Sequence, residues 1–246
     1  MRARISRWSQ RPFELTVLAC LQFIVLTAAA MLLYPGGSAA DPSSRGYSFF
    51  RNFFSDLGLT VTASGARNTP SFVLFVVALA LAGLGLVWFF LAAPPLFGRA
   101  DEPNRLPKFA KLRKSVSLLG SLFGVITGLC FVGVAFTPAN LFGVAHVWFV
   151  LTAFEAFPVA AACYALAVWL HPAYPRRYFW TYLAFAMLLA GYVWLIFNGP
   201  PPNTAEGLVV QATGQKAIVY ACIVCMLIQS YGAQRVLQEA KQDLRL

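Results

Sequence analysis

Apolar residues fill six long stretches of this chain, at 13–34, 70–92, 115–136, 147–170, 178–197 and 217–233, and the polar residues are concentrated in the segments between them. A hydrocarbon layer about 30 Å thick takes about 20 apolar residues per helix, and each stretch but the last, which is short, has that length. Backbone groups in lipid must be satisfied within their own segment, so runs of this kind predict helices. The short alternating strands of a membrane β-barrel are not visible. The pattern predicts an all-α integral membrane protein, a bundle of six transmembrane helices forming a single domain over residues 1–246.

The connecting segments are unequal. The first, 35–69, is long and carries Tyr47, Phe49, Phe50, Phe53 and Phe54. A segment this long is either functional or disordered, and its aromatic density argues for order. Its spacing predicts a short interfacial helix over 47–57 with Phe49, Phe50, Phe53, Phe54 and Leu57 toward apolar surface, ended by Gly58 in a left-handed conformation. Thr69 and Pro70 read as the cap and first turn of the second span. The segment 93–114, with Pro94, Pro95, Pro103 and Pro107 among charges, reads as a solvated connector, and the tail 234–246 as weakly amphipathic and lying at the surface. In the third span Gly120, Gly124 and Gly128 recur every four residues. Such a stripe lets another backbone approach closely, either within the bundle or, alternatively, at a face between two copies of the chain.

Charge sets the expected orientation. Of the 19 Lys and Arg, all but Arg45, Arg51, Arg67 and Lys216 fall in the N-terminal tail, the second and fourth connectors or the C-terminal tail. Basic residues collect on the cytoplasmic side, so both termini are expected to be cytoplasmic and the first loop extracytoplasmic, with a bacterial inner membrane the expected location. The net charge of +10 is then a topology signal and an attraction to anionic lipid, not a nucleic-acid footprint. Ser38-Ala39-Ala40 after the first span resembles a signal-cleavage site, but the apolar run before it is longer than a signal core, which favours a retained helix. Cys20, Cys130, Cys163, Cys222 and Cys225 all lie inside spans, so no extracytoplasmic disulfide framework is expected.

Few residues offer chemistry. Glu155 lies within the fourth span, where an ionisable group should face protein or water. With Thr152 one turn away it forms a candidate intramembrane polar site, either for proton or substrate coupling or as a neutral acid bonded inside the bundle. Glu14, three residues from Arg11, reads as an interfacial pair, and Gln22 as an interhelical hydrogen-bonding residue. His146 and His171 stand at opposite ends of the fourth span, roughly 37 Å apart at 1.5 Å per residue. With only 2 His in the chain, bis-His haem pairs and three-His zinc sites are excluded, and no metal or other cofactor is expected. Arg51, Asp56, Asn140, His146 and Lys216 map to the outer side and form a candidate polar cluster there. Ser55, Asp56 and His146 are the residue types of a hydrolytic triad, but no nucleophile-elbow or nucleotide-binding motif accompanies them.

The stretch Arg51-Asn52-Phe53-Phe54-Ser55-Asp56-Leu57-Gly58, then Thr137-Pro138-Ala139-Asn140 with His146, and Gly214-Gln215-Lys216 before the last span resemble elements of the bacterial six-helix membrane family called domain of unknown function 998, and distantly the DRAM/Frag/Sfk-type membrane proteins. Asn140 stands where that family often has an acidic residue. The resemblance carries no established catalytic activity and implies involvement with membrane lipids. The expected function is therefore a non-enzymatic, lipid-interacting or scaffold-like membrane protein. A proton-coupled transporter using Glu155 and an outer-leaflet enzyme using Asp56 and His146 are the alternatives.

Overall fold

The computed structural model describes residues 10–98, 107–172 and 174–242. It is all-helical apart from two isolated β-bridges in the first loop, Gly36 with Arg45 and Val61 with Arg67. The helices are α1 (Arg11–Leu33), α2 (Thr69–Ala92), a single turn α3 (Pro94–Phe97), α4 (Pro107–Phe136), α5 (Ala139–Trp169), α6 (Arg176–Asn198) and α7 (Ala205–Gln242). Six of them, all but α3, are long and apolar enough to cross a membrane. The basic N-terminal tail up to Arg7, the connector around Arg99 and Arg105, and Arg245 lie outside the described residues.

Proline and glycine punctuate the chain. Pro12 and Pro70 sit in the first turns of α1 and α2, where a missing N–H costs nothing. Pro175 immediately precedes α6, and Gly199-Pro200-Pro201-Pro202 follows it. Thr204 then accepts the Gly207 N–H at 3.1 Å and caps α7 twelve residues before the apolar run begins at Ala217. The added stretch holds Gln211, Gln215 and Lys216, which mask its helical character in a hydropathy reading; all three are buried, on the inward face of α7. α5 likewise begins at Ala139, ahead of the predicted 147, with non-helical backbone at Phe142.

The long helices pack in a closed ring, α1 against α2, α2 against α4, then α5, α6, α7 and back to α1. The ring is apolar on its outside as well as in its core, with a minority of buried polar side chains. Leu32, Leu91, Met187 and Phe197 are exposed, whereas Thr16, Ser71, Ser117, Thr127 and Gln229 are buried. A largely apolar outer surface of this extent needs lipid as its solvent, and exposed Trp148, Trp169, Trp180 and Trp194 fit the interfacial positions favoured by tryptophan.

The glycine stripe is used within the chain. A Cβ at Gly120 would lie 2.9 Å from Cys163 Cβ on α5, one at Gly124 2.2 Å from the Phe90 ring on α2, and one at Gly128 2.7 Å from the Gly83 carbonyl, also on α2. Thr16 ties α1 to α2 by donating to the Gly85 carbonyl at 3.0 Å. On α4, the Ser121 hydroxyl meets the Phe90 carbonyl at 2.5 Å and the Tyr164 hydroxyl at 2.7 Å, joining α4 to both α2 and α5.

Candidate functional site

The first loop is folded onto one end of the ring, but not as the amphipathic helix predicted over 47–57. Regular structure there is a single 3-10 turn, Phe54–Gly58. Phe54 and Leu57 are buried and Phe53 half-buried, while Phe49 and Phe50 remain exposed. Gly58 is not left-handed; it is required because a Cβ there would lie 2.6 Å from the Phe75 ring. The left-handed glycines are Gly36, Gly37, Gly46 and Gly65, at the turns of the loop. Asn68 rather than Thr69 precedes α2. Its side chain caps nothing in the helix and instead donates to the Leu57 and Leu59 carbonyls at 3.0 and 2.8 Å.

At the centre of the loop, Asn52 is fully buried. Its Nδ2 donates to the Gly37 carbonyl at 2.9 Å and to Asp56 Oδ2 at 3.0 Å, and its Oδ1 accepts the Ser48 N–H at 3.0 Å. Asp56 Oδ2 also accepts the Phe53 N–H at 3.0 Å. Burial pushes the Asp56 carboxyl above the usual carboxylate range, against the opposing pull of these two hydrogen bonds and of the nearby Lys216. Tyr47 lies over this centre, its hydroxyl 3.2 Å from the Asn52 carbonyl and 3.0 Å from that of Phe53. Burial, reinforced by Asp56, raises its phenol well above the ordinary value.

α7 holds the loop from below with two adjacent side chains. Gln215 Oε1 accepts the Phe54 N–H at 2.7 Å. Lys216, 1% exposed, donates from Nζ to the Asn52 carbonyl and, at 3.4 Å, to the Ala212 carbonyl of its own helix. Its ammonium stands 5.3, 5.2 and 5.5 Å from the ring centroids of Tyr47, Phe49 and Phe54, a cage of cation–π contacts.

The five residues predicted as an outer cluster therefore separate. Asp56 and Lys216 share the clasp around Asn52. Arg51 points out of it and is exposed. Asn140 pins a different part of the loop, accepting the Thr60 N–H at 3.1 Å and donating to Thr60 Oγ1 at 2.8 Å. His146 is buried and engaged through Nδ1 with the Thr137 carbonyl at 2.7 Å, which closes the turn between α4 and α5. No hydrogen bond or ion pair joins His146 to Asp56 among the described residues. Asn52, Gln215 and Tyr47 are the members of the clasp that the sequence reading did not place in the outer polar cluster, naming Tyr47 only as a loop aromatic and Asn52 and Gln215 only within the stretches that carry the resemblance. A buried Asn in a loop has no periodic signal; Gln215 had one, as a polar residue beside Lys216 at the edge of an apolar run.

Beneath the clasp, inside the ring, lies a cavity of about 100 Å³. All six long helices contribute to its wall, among them Cys20 and Phe23 of α1, Leu79 of α2, Phe154 of α5 and Ile218 and Cys222 of α7, and the 3-10 turn roofs it with Phe54 and Ser55. The wall is almost entirely hydrocarbon. One water takes roughly 10–15 Å³ of such space and needs two to four polar partners, so water is a poor occupant.

Glu155 corrects the expected intramembrane site. It sits on the outward face of α5, in line with exposed Trp148, Val159 and Leu166, with no hydrogen bond or ion pair among the described residues, and Thr152 beside it is half-buried. The inward face of α5 is filled by Ala153, Phe154, Phe157, Ala160 and Ala161, leaving no room for the carboxylate inside the ring. Replacing Glu155 by Leu removes an ionisable group from an apolar surface. Thermal unfolding of the purified protein should show the Glu155→Leu variant within about 0.5 kcal/mol of wild type or above it; a loss above about 1 kcal/mol would mean that the carboxyl has a partner after all.

Neither a protein-family model nor a curated protein nor a solved structure matches this chain.

Proposed function

We propose that this membrane protein binds the apolar chain of a lipid in its central cavity, with the first loop as the lid of that cavity, and that it acts on membrane lipid by binding rather than by catalysis. The observation that carries the reading is the apolar cavity roofed by an ordered, clasped loop. Such a space favours a run of methylene groups over water or vacuum. The distribution of Lys and Arg supports placing the lid on the extracytoplasmic side and both termini in the cytoplasm. This reading does not use Glu155 for proton coupling, because Glu155 does not line the cavity. Nor does it use Asp56 and His146 as a catalytic pair, since each is committed to other partners. Of the stretches that carry the resemblance to the domain of unknown function 998 family, Arg51 to Gly58 and Gln215-Lys216 contribute to the lid and its clasp, whereas Asn140 pins Thr60 and His146 serves the α4–α5 turn.

The test is lipid extraction from the detergent-washed protein, followed by mass spectrometry. Wild type should retain a lipid-derived molecule in near-stoichiometric amount. A cavity-filling variant, Val219→Trp, should retain several-fold less while staying folded. Equal retention in both, or none in wild type after mild extraction and add-back of total membrane lipid, overturns the reading. Reporter fusions at the C-terminus and after Pro103 should both report cytoplasm, and a periplasmic signal from either overturns the orientation.

A further inference from the structure

The cavity has one polar corner. Gln215 lines it and is 8% exposed. The Phe54 N–H, which can only donate, approaches the Gln215 amide at 2.7 Å. The amide oxygen is thereby fixed on the loop side, and the amide nitrogen is turned away from the loop. Nε2 donates to no described residue. Ser55, the residue after Phe54 on the roofing turn, also lines the cavity, and its hydroxyl makes no hydrogen bond to any described residue. At the wall's other polar position the hydroxyl is spent: Thr16 donates to the Pro12 and Gly85 carbonyls at 2.9 and 3.0 Å. Donors without acceptors are therefore gathered at the lid end of an otherwise hydrocarbon space. An amide N–H bordering an apolar cavity without an acceptor is poorly solvated, and a ligand that supplies an acceptor there gains a hydrogen bond.

The charge around this corner narrows the acceptor. The ammonium of Lys216 is held by the Asn52 and Ala212 carbonyls inside its aromatic cage and lies on the loop side of Gln215, and the nearest carboxylate, Asp56, belongs to the same clasp. A carboxylate or phosphate head entering the cavity would find no free cation and would lose its hydration uncompensated. Building on the lipid-chain reading above, we infer that the occupant ends in an uncharged carbonyl oxygen, as in a long-chain ketone, ester or quinone, accepting a hydrogen bond from Gln215 Nε2 with the Ser55 hydroxyl as second donor. The apolar wall supplies affinity and this corner supplies selectivity and register, fixing which end of the chain lies under the lid.

The experiment uses the full-length protein in ether-lipid nanodiscs, with a long-chain methyl ketone labelled with carbon-13 at the carbonyl and an unlabelled alkane of the same chain length. Retention after gel filtration should favour the ketone by about fivefold, the size of one net neutral hydrogen bond. The infrared carbonyl band of the bound ketone should lie at lower frequency than in protein-free discs. Gln215→Met, close in volume and without a donor, should bring the retention ratio near one and return the band to its protein-free position. Ser55→Ala should do so in part, and it keeps the Gln215 contact to Phe54, so it reads the corner even if Gln215→Met loosens the lid. If alkane and ketone are retained equally and the band does not move, the polar-corner inference fails while the cavity reading stands. If neither is retained by wild type, the cavity reading itself fails. A ketone preference untouched by both variants places the head elsewhere and overturns the assignment to Gln215 and Ser55.

Discussion

Lys216→Met is expected to destabilise the protein by about 2–4 kcal/mol and to free the lid. Methionine nearly matches lysine in length and fills the same space, so the loss is electrostatic rather than steric. The Asn52 carbonyl would lose a charged donor, the stronger class of hydrogen bond, the Tyr47, Phe49 and Phe54 rings would lose the cation they surround, and Asp56 would lose its nearest positive charge. The measurement is equilibrium unfolding in mixed micelles, paired with amide hydrogen exchange over residues 47–58, which should become several-fold faster in the variant even where the helices remain protected. Lys216→Arg should not rescue, since a planar guanidinium has a different shape and the site is 1% exposed. A change below about 0.5 kcal/mol with unaltered exchange would mean that the loop is held without the lysine.

Gly128→Ala should cost about 2–3 kcal/mol, the upper part of the range for overpacking. The added methyl would lie 2.7 Å from the Gly83 carbonyl oxygen and 3.0 Å from the Val87 backbone nitrogen. Both are backbone atoms of α2, so no rotamer change relieves the clash and the two helices must separate. Gly143→Ala is the control. Nothing lies within 4 Å of a Cβ there, and alanine is the better helix former, so the variant should be unchanged or up to about 1 kcal/mol more stable. Steric trapping or thermal unfolding of the two variants side by side separates packing from propensity. Equal behaviour would show that the α2–α4 contact is looser than the described geometry.

The sequence by itself determined the architecture. Runs of apolar residues long enough for a bilayer admit only helices, because lipid offers no partner to an unpaired backbone, and this constraint acts locally. Some boundaries are local for the same reason: Pro70 stands in the first turn of α2, Pro175 precedes α6, and the Gly199-Pro200-Pro201-Pro202 break follows it, each acting on its own neighbourhood. The start of α7 was not legible, because Thr204 caps a stretch whose Gln211, Gln215 and Lys216 read as loop residues until the fold turns them inward. The same limit hid the site. Asp56 and Lys216 could be named from residue type, but that Asn52 lies between them depends on contacts 160 and more residues apart in the chain, such as that of Phe54 with Gln215, while His146 is spent on the Thr137 carbonyl of its own turn. Glu155 is the sharpest case. Its residue type argued for a buried partner, yet which side of α5 faces the ring is set by the summed packing of Phe154, Phe157 and the alanines beside them, and that face had no room for a carboxylate. Helix existence is a property of a segment and its solvent. Helix rotation, the closure of the ring and the cavity at its centre are properties of how segments from the whole chain share space, and only the tertiary structure decided them.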